Sequence, residues 1–296
     1  MINHQFYHSS SENMDEVASN SVALTVTSPP YWNAIDYDVY SSSKRDKNYR
    51  TRNYSLGFDS AEKGYEEYLC WCKDIFNEVY RVTKPGGFCA IIIGTILYKG
   101  KYYAAPHDLL NLLTHQEPKW LFHQDIIWNK VTGGVKRAGV AIQHPFPGYY
   151  YPNIMTEYIN ILRKPGDPIY KGLNGEKDKS AYAIDDLFKK DIANNIWHIA
   201  PVPPGYVDHP CPFPEEIPDR LIKLYSYKED IVLDPFLGSG QTAKVAQSLG
   251  RNSIGYDVEK TYIDLAEFRM CEPSNIRKNQ LVARFEKIAI NREELT

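Results

Sequence analysis

Residues 230–269 read "DIVLDPFLGSGQTAKVAQSLGRNSIGYDVEKTYIDLAEFR". An apolar strand, a glycine turn, a helix, a second strand and a second helix follow one another without a break. Two parallel strands cannot be joined by a tight hairpin and need a crossover, which the intervening helix supplies, so this stretch commits the chain to a parallel α/β fold. Gly238 and Gly240 lie where the first strand hands over to the helix, and their missing Cβ atoms let backbone approach a ligand. Asp257 closes the next strand about 20 residues later, the position from which a carboxylate accepts both hydroxyls of a ribose. Taken alone, G-x-G at a strand end also fits an ordinary tight turn. A phosphate-binding P-loop is disfavoured because Gln241 and Thr242 stand where Lys and Ser or Thr would follow the last glycine. A dinucleotide fold is disfavoured because its glycine turn opens the domain, whereas this one comes near residue 240.

The upstream chain supplies the rest of such a sheet. "VALTV", from Val22 to Val26, reads as a strand that runs straight into "TSPPYW". Two consecutive prolines can neither extend a ladder nor begin an ordinary helical turn. From Ala61 to Thr83, the residues Tyr65, Tyr68, Leu69, Cys72, Ile75, Phe76 and Val79 recur at three and four, an amphipathic helix that "KPGG" stops. "FCAIIIG", Phe88 to Gly94, is continuously apolar, as expected of a strand buried on both faces of a parallel sheet. A helix over Pro106–Thr114 and strands in "LFHQDIIWNK" and "TEYINILRK" follow. A further helix is expected with Ile217, Leu221, Ile222 and Leu224 on its apolar face. Residues 165–195 are polar and mixed in charge, with a short helix expected around "SAYAIDDLFKK". Two glycine-, proline- or charge-rich stretches, 36–58 and the segment around "VTGGVKRAGVAIQHPFPGYYYPN", read as long loops.

The composition excludes several classes. With 296 residues, 43% of them hydrophobic, the chain has enough apolar surface for one large core. A net charge of -3 excludes a uniformly basic nucleic-acid coat, so a polyanion would have to be held by a local patch. The first patch is Lys44, Arg45, Lys47, Arg50 and Arg52, interleaved with Tyr49 and Tyr54; the second is Lys130, Lys136 and Arg137. Each also reads as a solvated loop. No apolar run approaches the roughly 20 residues that span a bilayer and no leader pattern opens the chain, so a cytoplasmic protein is expected. Five cysteines without metal-ligand or disulfide spacing read as reduced structural thiols, and the scattered histidines, His209 among them, read as structural, so no metal is expected.

"TSPPYW" together with "DPFLGSGQT" resembles the amino-group DNA methyltransferases, whose hallmarks are Ser, Asp or Asn before Pro-Pro-Tyr and a D-P-F-x-G-S-G turn. The Pro-Pro-Tyr motif precedes the glycine turn here, which is similar to the permuted arrangement of the beta class. "TKPGG", "IIWNK", "TEYINILRK", "HPCPFPEEIPDRLI" and "GRNSIGYD" stand in the family's order, so the resemblance runs from about Val22 to Arg269. Gln241 departs from the family's usual Thr. The resemblance implies a Rossmann-like class I methyltransferase fold, a mostly parallel sheet flanked by helices. It further implies S-adenosylmethionine as cofactor, held by Asp234, Pro235, Phe236, Gly238, Ser239, Gly240, Thr242 and Asp257. Ser28, Pro29, Pro30 and Tyr31 would form the catalytic motif, acting on a base flipped out of double-stranded DNA. The chain then divides into a catalytic half (1–164), an insert in the place of a target-recognition region (165–198) and a cofactor-binding half (199–296). Ser at the first motif position resembles the cytosine-N4 enzymes, whereas Asp or Asn usually accompanies adenine-N6 methylation; both bases remain open, as does methylation of RNA or a protein amide, against which the motif order argues. A non-enzymatic DNA-binding module is the bland alternative. A homodimer and functional pairing with a restriction endonuclease are further expectations.

Overall fold

The computed structural model describes residues 3–32, 61–98, 100–130, 147–148, 154–171, 176–203, 206–207, 209 and 211–272. Eight strands form one sheet: β1 (His4–His8), β2 (Val22–Thr27), β3 (Thr83–Ile93), and, beyond a small hairpin of β4 (Ile96–Tyr98) and β5 (Lys101–Tyr103), β6 (Leu121–Asn129), β7 (Thr156–Arg163), β8 (Ile196–His198), β9 (Ile231–Asp234) and β10 (Asn252–Asp257). Their order is β1-β10-β9-β2-β3-β7-β6-β8. Neighbours from β1 to β3 are parallel, β7 is antiparallel to both β3 and β6, and β8 is parallel to β6. The mostly parallel α/β expectation holds, with β7 the reversed strand. β3 is therefore parallel to one neighbour only, yet both of its faces are covered, as its apolar run demands.

Five α-helices are described: α1 (Ala61–Val82), α2 (Ala105–His115), α3 (Glu216–Tyr225), α4 (Gln241–Ser248) and α5 (Lys260–Arg269). One face of the sheet, with Cys89, Ile91 and Ile93, packs in a single core with Tyr68, Cys72, Ile75, Phe76 and Val79 of α1 and Leu109 and Leu113 of α2. Leu24, Val26, Ala90 and Ile92 face the other way, onto Ile217, Leu221 and Ile222 of α3 and Val245 of α4. Leu224 is only partly buried, and Tyr225 completes the α3 stripe in its place because it continues the four-residue spacing from Ile217 and Leu221. All five cysteines are free.

The segment "TKPGG" ends α1 as expected but does not separate it from the next strand. β3 begins at Thr83 opposite Val22, and a register shift between Val22 and Leu24 absorbs the proline and glycines as a bulge. Gly86 has φ of +78°, and a Cβ there would strike the Asp167 carbonyl oxygen at 1.8 Å. β1 and β8 arise from stretches that carried no strand signal. In place of one short helix near 180–190, the chain forms a 3₁₀ turn at Glu176–Ser180 and a wide turn at Phe188–Ile192. Residues 179–192 line a groove with α3 and the C-terminal end of α4 that runs from Lys228 and Arg251, which precede β9 and β10 at the amino edge of the sheet, toward Asp191, which meets the His198 ring at the carboxyl end of β8 at 3.1 Å.

Candidate active site

β2 and β9 lie side by side and parallel, with Thr25 opposite Leu233, so "TSPPYW" and "DPFLGSG" leave the sheet at the same edge. The pair is cross-linked there: the buried Thr27 hydroxyl donates to Asp234 Oδ1 at 2.7 Å, and the Thr242 hydroxyl donates to the Val26 carbonyl at 3.1 Å. Past Thr27 the prolines end the ladder, because neither carries an N–H. Pro29 is buried, while Ser28, Pro30 and Tyr31 are half-buried and line a cleft. Trp32 anchors the far end. It is 1% exposed, with ring centroids of Tyr65, Tyr98 and Tyr103 at 5.3, 5.2 and 4.8 Å. Such clustering of aromatic rings fixes the direction in which the motif leaves the strand.

The opposite wall of the cleft is the glycine turn. Pro235, Phe236, Gly238, Ser239 and Asp257 line it, together with Ser9–Ser11 after β1. Asp234, Gly240 and Thr242 stand behind the turn as its supports. The Asp234 carboxylate is 1% exposed; Oδ1 also accepts the Phe236 N–H at 3.1 Å, and Oδ2 has no partner among the described residues. Burial pushes this carboxyl up to about 7. Gly238, at φ of +49°, donates its N–H to Asp257 Oδ2 at 2.8 Å, and Glu259 N–H reaches Oδ1 at 2.9 Å. Each oxygen of Asp257 thus keeps a lone pair for a ligand. Burial outweighs these two bonds and pushes the Asp257 carboxyl up to about 6. Gly240, at φ of +74°, lies against α5, where a Cβ would meet that of Ala266 at 2.7 Å.

Sequence reasoning missed two participants. His209 lines the cleft, with its Nε2 only 2.7 Å from where a Cβ of Gly238 would sit and its ring 4.9 Å from that of Tyr262. Its Nδ1 accepts the Cys211 N–H at 3.2 Å, which places the ring proton on Nε2. The second is Arg269 of α5, which donates to the Ser239 carbonyl at 2.6 Å and to Gln241 Oε1, while Gln241 Nε2 donates to the Phe213 carbonyl at 2.7 Å. Gln241, the departure from the common motif, therefore ties the turn to α5 and to the segment carrying His209. The segment "HPCPFPEE" was the only signal for His209; nothing in the local pattern of α5 marked Arg269.

The basic residues Lys44, Arg45, Lys47, Arg50, Arg52, Lys136 and Arg137 lie outside the described residues. Among the described residues, no group of three His, Cys, Asp or Glu side chains is placed to hold a metal ion, and no helix is long and apolar enough to cross a membrane.

The same stretch of chain is matched by known proteins. The Type II methyltransferase M.MjaI of Methanocaldococcus jannaschii is 30% identical, over 98% of this chain and 97% of its own. M.MthZI of Methanothermobacter thermautotrophicus, also a Type II methyltransferase, is 30% identical over 95% of this chain and 80% of its own. Among solved structures, the putative DNA modification methylase TTHA0409 of Thermus thermophilus, complexed with S-adenosyl-L-methionine, superposes with a TM-score of 0.67 at 25% identity, over 93% of this chain and 97% of that one. The PvuII DNA methyltransferase, cytosine-N4-specific, shares the fold with a TM-score of 0.62 at 18% identity, over 97% of this chain and 92% of that one. The family description "DNA methylase", for N6 and N4 enzymes, matches residues 22–268. That span opens with the first residue of β2, closes within α5, and contains both motifs that face each other across the cleft: the chain belongs to the N6/N4 DNA methylase family.

Proposed function

We propose that the chain is a cytoplasmic, sequence-specific DNA methyltransferase that modifies the exocyclic N4 of cytosine, as the modification partner of a restriction endonuclease. The observation that carries this reading is the shared cleft: Ser28, Pro30 and Tyr31 line it opposite Phe236, Gly238 and Asp257, about 200 residues along the chain. The residues present fit S-adenosylmethionine. Asp257 keeps acceptor capacity for ribose hydroxyls, and Phe236, Gly238 and Ser239 line the cleft beside it. When bound, that cofactor supplies an electrophilic methyl group on a sulfonium.

An aromatic amine is a poor nucleophile because its lone pair is delocalised into the ring. In this reading the Ser28 hydroxyl and the Pro29 carbonyl accept the two amino hydrogens, hold the nitrogen nearer tetrahedral and aim its lone pair at the methyl carbon. The fixed φ of proline keeps that carbonyl preorganised. Tyr31 stacks on the extruded base, and about 1–3 kcal/mol of stacking offsets much of the few kcal/mol spent on flipping. Lys44, Arg45, Lys47, Arg50 and Arg52, with Lys136 and Arg137, supply phosphate contacts. Ser28 favours cytosine through the resemblance alone.

The reading is tested by incubating the protein with S-adenosylmethionine and unmethylated duplex DNA, then digesting to nucleosides. The expected product is 4-methylcytosine; N6-methyladenine would move the enzyme to the adenine branch of the family, and methyl transfer to RNA or protein alone would overturn the reading. Ser28→Ala is expected to cut kcat at least 100-fold with cofactor affinity nearly unchanged in calorimetric titration. Asp257→Ala is expected to weaken cofactor binding roughly 10- to 100-fold, through the lost charge-assisted hydrogen bonds. Normal cofactor binding by Asp257→Ala would remove Asp257 from the ribose contact.

A further inference from the structure

On the side of the catalytic motif away from the glycine turn, the sheet ends in a histidine held from inside the protein. β2 and β3 are parallel, β7 reverses, and β6 and β8 run as β2 does, so the carboxyl end of β8 lies at the edge from which Ser28 to Tyr31 emerge. His198 closes β8 there, opposite Asn129 of β6, with its side chain 40% exposed. Its Nδ1 lies 3.1 Å from Asp191 Oδ1, and its backbone N–H reaches the same oxygen at 3.4 Å. Asp191 sits in the wide turn Phe188–Ile192, beside the exposed Lys189 and Lys190. Its Oδ2 pairs with Nη1 of Arg220, from α3, at 2.5 Å, and both side chains are 1% exposed. Arg220 also pairs with Glu216 at 2.6 Å and lies over the Trp197 indole, 5.0 Å from the ring centroid. An apolar pair of similar volume would join the turn to α3 without the desolvation that two buried charges cost. What the charged pair adds is a fixed acceptor beneath an exposed imidazole.

We propose that His198, oriented by Asp191, is a DNA contact that donates from Nε2 to a backbone phosphate and takes up a proton from solvent in doing so. The inference rests on DNA as the substrate, not on which base is methylated. A carboxylate only accepts, so Asp191 fixes a ring proton on Nδ1 and leaves Nε2 to face outward. In the neutral ring Nε2 is an acceptor, and phosphate oxygens, acceptors themselves, offer it nothing. Protonation turns Nε2 into a charged donor, with Asp191 on one N–H of the imidazolium and the phosphate on the other. Four strand spacings separate β2 from β8, about 19 Å at about 4.8 Å each, which is roughly half of one helical turn of DNA. A duplex whose extruded base enters beside β2 therefore brings phosphates over β8. A base contact is the poorer match, because a ring less than half exposed at a strand end falls short of base edges in a major groove about 8.5 Å deep. Lys130, after the neighbouring end of β6, is already paired with Glu157, so it does not duplicate the charge that His198 gains. His198 is the contact and Asp191 its positioning residue.

The test titrates a duplex two helical turns long, one that the wild type methylates, into the wild type and into His198→Gln. Calorimetry in buffers of different ionisation enthalpy, between about pH 8 and pH 6 where histidines change charge, reads the protons taken up on binding. The wild type is expected to take up a larger fraction of a proton than His198→Gln, and by linkage its advantage in affinity grows as pH falls. At the acid end His198→Gln is expected to bind about 3- to 10-fold more weakly and to flatten the slope of log K against log salt concentration by up to about 0.9, with S-adenosylmethionine affinity unchanged. The Asp234 and Asp257 carboxyls titrate in the same range, but their share is common to both proteins. Asp191→Asn is expected to lower proton uptake as His198→Gln does, and the double variant Asp191→Asn/His198→Gln to lower it no further, a pattern that a merely structural Asp191 would not give. Should Asp191→Asn fold poorly, His198→Gln, at a partly exposed side chain, carries the test alone. Equal proton uptake and equal salt slope in the wild type and His198→Gln overturn the inference, while methylated DNA from the wild type keeps the proposed function standing. A loss confined to particular flanking sequences, with the slope unchanged, also overturns it, in favour of a base contact. A wild type that neither binds nor methylates duplex DNA overturns the proposed function and this inference together.

Discussion

The imidazole of His209 fills the space that glycine leaves at position 238, and that crowding sets its chemistry. Burial, with the Arg269 guanidinium adding to it, pushes the ring down to about 4, against about 6.5 in an unfolded chain. Between those values the unfolded chain binds more protons than the folded one. The His209 share of stability is therefore whole above pH 6.5 and is lost as pH falls toward 4. Asp234 and Asp257 act in the opposite sense. Their carboxyls are pushed up to about 7 and about 6, so the folded chain holds the extra protons and their share weakens as pH rises through that window. The wild type alone mixes the three groups, but its difference from His209→Gln isolates the imidazole. Urea unfolding at pH 7 and pH 5 is expected to show the wild type losing stability relative to His209→Gln on acidification. A difference that stays constant would mean that the ring titrates as an ordinary histidine. His209 was invisible in advance because its role comes from a glycine 29 positions away, whereas Gly238, Gly240 and Asp257 sit in a local strand–turn–helix–strand pattern that the chain displays directly.

Elements were legible in proportion to their length and apolar regularity. α1 buries the apolar side chains of Tyr65, Tyr68, Cys72, Ile75, Phe76, Val79 and Val82 at helical spacing, and β2 and the Phe88–Ile93 part of β3 are near-continuous apolar runs. β1 offers only "HQFYH", half-buried, with a partner strand about 250 residues downstream. Its register is held by contacts that sequence order hides: His4 Nδ1 meets Ser253 Oγ at 2.7 Å, and Tyr7 stacks on Tyr256 with centroids 4.8 Å apart. Phe6 packs on the small core of Leu237, Ala243, Ile263 and Ala266, which lies under the glycine turn. β1 also leads directly into Ser9–Ser11 of the cleft. Phe6→Asp is thus expected to cost roughly 2–4 kcal/mol through lost burial and a stranded charge, and to weaken cofactor binding as well. Calorimetry with S-adenosylmethionine and amide hydrogen exchange across β10 check this; unchanged affinity together with unchanged protection would make β1 an ornament to the sheet.

At the scale of the whole molecule, the cleft sits where the strand order turns around. From β9 the chain proceeds to β10 on one side, while from β2 it proceeds to β3 on the other, so the loops leaving β9 and β2 diverge and open a crevice at the carboxyl ends of the strands. Motif identity and order were readable without this geometry; the reversed β7, the edge strands and the turning point were not, because they depend on pairings between distant segments. The same geometry bears on how a chain with net charge -3 grips a polyanion. Attraction has to be local, and the strip Lys44, Arg45, Lys47, Arg50 and Arg52 begins a dozen residues after Trp32, whose burial pins the end of the Ser28–Tyr31 segment. If those five side chains neutralise phosphates beside the cleft, each contributes about 0.9 to the slope of log K against log salt concentration. Replacing all five with Gln is then expected to flatten that slope by roughly 3 to 4.5 and to weaken DNA binding at low salt far more than at high salt. Cofactor affinity should not move, since Gly238 and Asp257 are untouched. Filter-binding or anisotropy titrations between about 50 and 200 mM salt make the comparison. A slope that keeps its wild-type value would take the grip away from this strip and leave it to Lys136 and Arg137, whose replacement should then flatten the slope by about 2.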